Sequence, residues 1–141
     1  MKKDLELLEI YKVTVEMADR LSARRGAANT LFITLESALS AALGVWVGNG
    51  DSISMRKALA LIAVSGLISA LWWVQIFSYR NISTAKFDVI HEMERELSFA
   101  PYTREWKYIQ KTRHVDLTKT EQFVPFIFLM IDLLLIWTAT K

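Results

Sequence analysis

The sequence predicts an all-α integral membrane protein with three transmembrane helices, the first two extended into the cytosol. Three observations predict it. Apolar residues gather into blocks at 27–47, 58–77 and 123–140, each near the roughly 20 residues needed to cross a hydrocarbon layer. Lys and Arg gather before the first block and between the second and third. Helical periodicity carries the first block backwards and the second forwards. The 141 residues suffice for one domain.

Residues 1–26 form a cytosolic amphipathic helix continuous with span one. Leu5, Leu8, Val15, Ala18 and Leu21 recur at three- to four-residue spacing, with one longer gap. No proline interrupts the passage, although Gly26 allows a bend, so a single helix from about Asp4 to Val47 is expected. A signal peptide places its apolar core soon after its basic residues. Here Lys2, Lys3, Asp4, Glu6 and Glu9 come first and the block starts only near Ala27. An uncleaved insertion follows.

Span one, 27–47, is followed by an external loop, 48–57, and span two, 58–77. Ser65, Gly66 and Ser69 relieve the apolar side chains of span two. A buried helix of a soluble protein normally shows one polar face, so lipid is the better surrounding. The stretch 78–122 is a cytosolic helical region. Ile82, Val89, Ile90, Met93 and Leu97 prolong span two to about Leu97, and Pro101 ends the pattern. Tyr102–Lys111 forms a short helix with Trp106 and Ile109 inward. Glu92, Glu94, Arg95 and Glu96 form a solvated face. Two main cytosolic helices are too few to bury these stripes, so neighbouring subunits complete the core. Thr118-Lys-Thr-Glu121 has the form of a capping box. It precedes span three, 123–140, whose Pro125 lies in the first turns, where proline is tolerated best.

Orientation follows from charge. Fourteen Lys and Arg lie in 1–26 and 78–122, against three in the loop and the tail. Basic segments stay cytoplasmic, which puts the N-terminus inside and the C-terminus outside. Trp46 and Trp137 then mark the outer interface, and Trp72, Trp73 and Tyr79 the inner one.

Two acids lie within the spans, Glu36 and Asp132. A charge at mid-membrane costs at least about 2.5–3.5 kcal/mol, so both should face the bundle or a water-filled cavity. Each is nine residues from the start of its span, and both spans run outward. At 1.5 Å per residue both carboxyls lie about 13 Å deep, as neighbours within one subunit or across a contact. Two adjacent carboxyls in low dielectric resist double ionisation and can share a proton. The functional reading is a proton or cation site along a path. The structural reading, which is preferred, is a protonated acid that hydrogen-bonds another helix and holds the assembly.

Glu36, Ser40, Gly44 and Gly48 recur every four residues on one face, as do Ile62, Gly66 and Ala70. Small residues at this spacing let helices approach closely in lipid, so Ser40, Gly44, Gly48, Gly66 and Ala70 are read as a helix-contact face. Lipid-facing small residues are the alternative. Arg24 and Arg25 mark the membrane boundary of span one, near anionic head groups.

No chemistry-bearing motif stands out. The chain has no cysteine, which excludes disulfides and thiolate sites. His91 and His114 lack a metal-site pattern, and His91-Glu-Met-Glu-Arg95 lacks the second histidine of a zinc-protease helix. No phosphate loop, nucleophile elbow or dinucleotide fingerprint occurs. No metal, no cofactor and no enzymatic activity are expected. A formal net charge of +2 gives no sign of nucleic-acid binding.

Several stretches resemble the RipA family of small octameric bacterial membrane proteins. They are Tyr11–Asn29 (YKVTVEMADRLSARRGAAN), Ser78-Tyr79-Arg80, Ala85-Lys86-Phe87 and Val89-Ile90-His91-Glu92. Tyr102, Glu105-Trp106 and Val124-Pro125 follow, so the resemblance covers most of the chain. It implies a ring of identical subunits in the bacterial cytoplasmic (inner) membrane and supplies no catalytic residues.

The expected function is a homo-oligomeric membrane assembly, a pore or a scaffold, whose partners are the lipid bilayer and its own copies. The alternatives are a membrane-disrupting effector in bacterial defence or stress, and an accessory subunit of a transporter bound to a larger membrane or cytosolic protein.

Overall fold

The computed structural model describes residues 2–49, 54–111 and 120–140. They are all-helical: α1 (Lys2–Gly48), α2 (Met55–Glu94), α3 (Pro101–Lys111) and α4 (Val124–Ala139). α1 is one helix of 47 residues, unbroken at Gly26, and α2 has 40. At 1.5 Å per residue they measure about 70 and 60 Å, twice the roughly 30 Å of a hydrocarbon core. Both are long and apolar enough to cross a membrane, and α4, with 16 residues, is a shorter apolar helix.

Two compact units divide the chain: residues 1–26 with 78–117, and residues 27–77 with 118–141. α1 and α2 contribute to both.

In the second unit, α1 and α2 run antiparallel and α4 runs parallel to α1. This follows from the contacts of 29 and 36 with 72 and 69, and of 65 and 69 with 132 and 125. Leu43, Ala58, Ile136 and Ala139 form an apolar core against Leu39, Trp46 and Leu61. The rest of the unit is inverted relative to a water-soluble bundle. Leu31, Leu35, Leu59, Leu67, Leu71, Phe126 and Leu134 are exposed, while Glu36, Ser65, Ser69 and Asp132 are buried. No more than 22% of the most apolar stretch of α1 or α2 is buried. A core helix of a soluble protein hides its apolar side chains. Here the polar ones are hidden, as lipid requires.

Trp72, expected near the inner interface, turns into the bundle. It is 2% exposed and sits among the helices. Its indole Nε1 donates to Asn29 Oδ1 at 3.1 Å, and its ring stacks on Phe32 and meets Phe128 at a tilt. The N–H finds a partner inside the bundle, so it has no need of the head-group layer. Trp73 is half-exposed and stacks on Phe77.

In the first unit, Ile90 and Ala18 are buried, and Phe87 packs on Tyr102. α2 stops at Glu94, short of Leu97. The ladder tightens there into bonds from the amides of Arg95, Glu96 and Leu97 to carbonyls three residues earlier. Trp106, expected inward, is half-exposed; no residue of α3 is fully buried, and Tyr102, Thr103 and Ile109 are the half-buried ones. Leu5, Ile10, Val13, Met17, Ile82 and Val89 are exposed. The capping box at Thr118–Glu121 begins outside the described residues. α4 itself starts at Phe123 without a side-chain cap, and Pro125 lies in its first turn.

Candidate functional site

The second unit encloses a polar cluster built from three helices. Glu36 and Ser40 come from α1, Ser65 and Ser69 from α2, and Asp132 from α4. α1 and α2 each place two residues one turn apart on one face, so the two serines of α2 address both acids at once. Ser40 Oγ donates to Asp132 Oδ1 at 2.5 Å, and Ser65 Oγ to Asp132 Oδ2 at 2.6 Å. Ser69 Oγ lies 2.8 Å from Glu36 Oε1 and 3.2 Å from the Pro125 carbonyl oxygen. Glu36 and Asp132 are 0% and 1% exposed, and their carboxyls are close enough to interact directly. Lipid gives helix association no hydrophobic drive, so interhelical hydrogen bonds and close packing specify such a bundle.

The structure therefore brings Glu36, Asp132 and Ser40 together, and adds Ser65 and Ser69. Their signal in the sequence was the spacing of two hydroxyls on an otherwise apolar span. The small residues lie elsewhere. A Cβ added at Gly44, Gly48 or Gly66 meets nothing within 4 Å, and Ala70 is exposed, so no helix of the same protomer crowds these positions. Arg24 is exposed and Arg25 half-buried.

A second polar cluster lies in the first unit. Glu94 was expected on a solvated face, but it is 2% exposed. Its carboxylate accepts from the backbone N–H of Tyr102 and of Thr103, both at 2.8 Å, from Thr103 Oγ1 at 2.6 Å and from Tyr11 Oη at 2.9 Å. The reason is local. α3 begins at Pro101 behind Ala100, which has no capping oxygen, and its first N–H groups need an acceptor. A carboxylate at a helix N-terminus also meets the positive end of the helix dipole. Burial opposes the charge on Glu94. The hydrogen bonds from the Thr103 hydroxyl, the Tyr102 and Thr103 amides and Tyr11 outweigh it and hold the carboxyl below its ordinary range. The Tyr11 phenol is pushed up, first by burial and then by its bond to Glu94, so it stays a donor at neutral pH. Glu92, Arg95 and Glu96 are exposed as expected.

Beside this cluster an open groove of about 730 Å³ runs between α1 and α3. Tyr11, Val15, Pro101 and Tyr102 line it together with the charged Lys12, Glu16, Asp19 and Glu105. His91 is half-buried and His114 lies outside the described residues. Among the described residues no group of three metal-ligating side chains occurs. Both buried clusters pair acids with hydroxyl or amide donors, an arrangement suited to fixing helices against one another.

The model of one protein family matches residues 8–140, nearly the whole chain; it is described as the Octameric membrane protein family (8xMP). No curated protein and no solved structure matches significantly.

Proposed function

The chain belongs to the octameric membrane protein family, and from that premise we propose that it is a non-enzymatic scaffold. In this reading eight identical subunits form a ring in the bacterial cytoplasmic membrane and hold helices in a fixed arrangement without conducting ions. Within the family, the stretches around Tyr11–Asn29, Ser78–Glu92 and Val124-Pro125 support a RipA-like member.

One observation carries the choice of scaffold over pore. The acids of the spans, Glu36 and Asp132, are enclosed by their own protomer's helices. The outer surface over 27–49, 58–77 and 124–139 then carries no charged side chain. An ion path needs polar or charged groups along its wall, and this bundle offers a neighbour mostly apolar surface. The exposed Leu5, Ile10, Val13 and Met17 of α1 supply contacts between subunits in the first unit. The basic residues of 1–26 and 78–122 support a cytosolic side for that unit, with the C-terminus outside.

Reconstituted liposomes test the reading. The scaffold predicts an eightfold particle by electron microscopy that passes no ions. Ion flux through the assembled particle, abolished by Glu36→Gln, overturns it in favour of a pore.

A further inference from the structure

The acid pair inside the bundle has a charge balance that the chain does not close. Residues 27–55, 58–79 and 124–139 contain no Lys, Arg or His. Among the described residues, every hydrogen-bond partner of the pair is neutral: Ser40 from α1 and Ser65 and Ser69 from α2, with Ser69 also meeting the Pro125 carbonyl of α4. The closest basic residue along α2, Lys57, lies eight residues before Ser65, about 12 Å along the helix, and is exposed. Two carboxylates here would leave a double negative charge in low dielectric with no counter-charge.

Hydrogen counting locates the deficit. Three hydroxyls bring three protons: those of Ser40 and Ser65 go to Asp132 Oδ1 and Oδ2, and that of Ser69 goes to Glu36 Oε1, the nearer of its two acceptors, the other being the Pro125 carbonyl. The fourth oxygen, Glu36 Oε2, is buried and has no donor among the described residues. The only other acid of the spans is Asp132, whose carboxyl lies next to that of Glu36. A buried carboxylate oxygen without a donor costs the desolvation of that charge.

We propose that the cluster is a proton-binding site, in which each protomer holds one proton on Glu36 Oε2 and shares it with Asp132. The ligand is a proton and not a metal ion. Metal coordination at about 2.0–2.6 Å pushes adjacent ligand oxygens roughly 3 Å apart or more. Here the hydroxyl and carboxylate oxygens approach to 2.5–2.8 Å, which suits O–H···O bonds. Asp132, with two hydroxyl donors, is the ionised partner, and the pair carries one negative charge.

Infrared spectroscopy of the assembled octamer in bilayers at neutral pH tests this. The expected result is one protonated-carboxyl C=O band per chain. It shifts when glutamate is ¹³C-labelled and stays in place when aspartate is labelled, and it is unchanged when potassium is exchanged for sodium. These measurements need only the unaltered chain. Glu36→Gln removes the band, while Asp132→Asn keeps it. No such band in the assembled protein overturns the site, as does a band that moves with the aspartate label. A band that sodium suppresses assigns the cluster to a metal ion and equally overturns the proposal.

Discussion

Single hydroxyls decide how the acids of the spans are held. Ser65 donates to Asp132 Oδ2 from a fully buried position, so Ser65→Ala leaves a carboxylate oxygen without its donor. The expected cost is about 1–2 kcal/mol, within the range for interhelical bonds in membranes and for bonds to charged groups. It is measured as a lower thermal midpoint of the purified assembly, with Ser78→Ala, at an exposed position, leaving the midpoint unchanged. The acids themselves were legible: equal position in two parallel spans puts Glu36 and Asp132 at one depth before any fold is known, and leaves open whether they meet within one subunit or across a contact. Their donors were not, because a serine in an apolar run marks neither the face it lies on nor the helix it meets. Trp72 shows the same gap. Its place in the chain suits an interfacial belt, and only the packing shows Asn29 waiting for its N–H. Trp72→Ala should cost about 3–5 kcal/mol, as for other buried tryptophans, with loss of assembly on mild heating.

At the scale of elements, α3 depends on a residue outside it. Pro101 starts the helix and Glu94 satisfies its first amides, so Glu94→Ala should cost about 1–2 kcal/mol. α3 then loses hydrogen-exchange protection while α1 and α2 keep theirs. The pH dependence has a definite sign. Glu94 is held below its ordinary range in the folded state. Its contribution is therefore full above the unfolded value of about 4.3 and is lost as pH falls through the folded value. α3 protection, corrected for intrinsic exchange, should fall on acidification below that window. In Glu94→Gln it should be lower at neutral pH and insensitive to acid. The sequence placed Glu94 in a run of mixed charges, where a solvated face is the ordinary outcome. Ala100, an ineffective cap before Pro101, was the one local sign that α3 needed an acceptor from elsewhere. The long helices were easier to see: α1 runs unbroken from Lys2 to Gly48 because no proline interrupts it and Gly26 sits inside strong helix formers on both sides.

For the whole molecule, the absence of native cysteine makes topology directly measurable. Single cysteines at Lys3 and at Thr140 should react with a membrane-impermeant thiol reagent from opposite sides, the first only after the inner face is opened. Reaction of both from one side removes the orientation that the basic residues imply. Assembly has its own test. Val13 lies on the exposed apolar face of α1, with Ile10 and Met17 one turn to either side. Val13→Glu should shift the detergent-solubilised particle from eight chains to smaller species, read by light scattering, while the protein still inserts. An unchanged octamer places the subunit contacts elsewhere.

The sequence alone determined the helical class, the apolar segments and the pairing in depth of two acids. Each follows from length, hydropathy or spacing, which the chain carries in one dimension. The tertiary structure decided which side chains turn inward. In lipid the outside of a bundle is as apolar as its interior, so apolar periodicity loses the contrast that orients a helix in water. The direction is then set by a few polar contacts, Ser65 and Ser69 with the acids and Glu94 with α3, whose partners lie between 8 and 67 residues away in the chain.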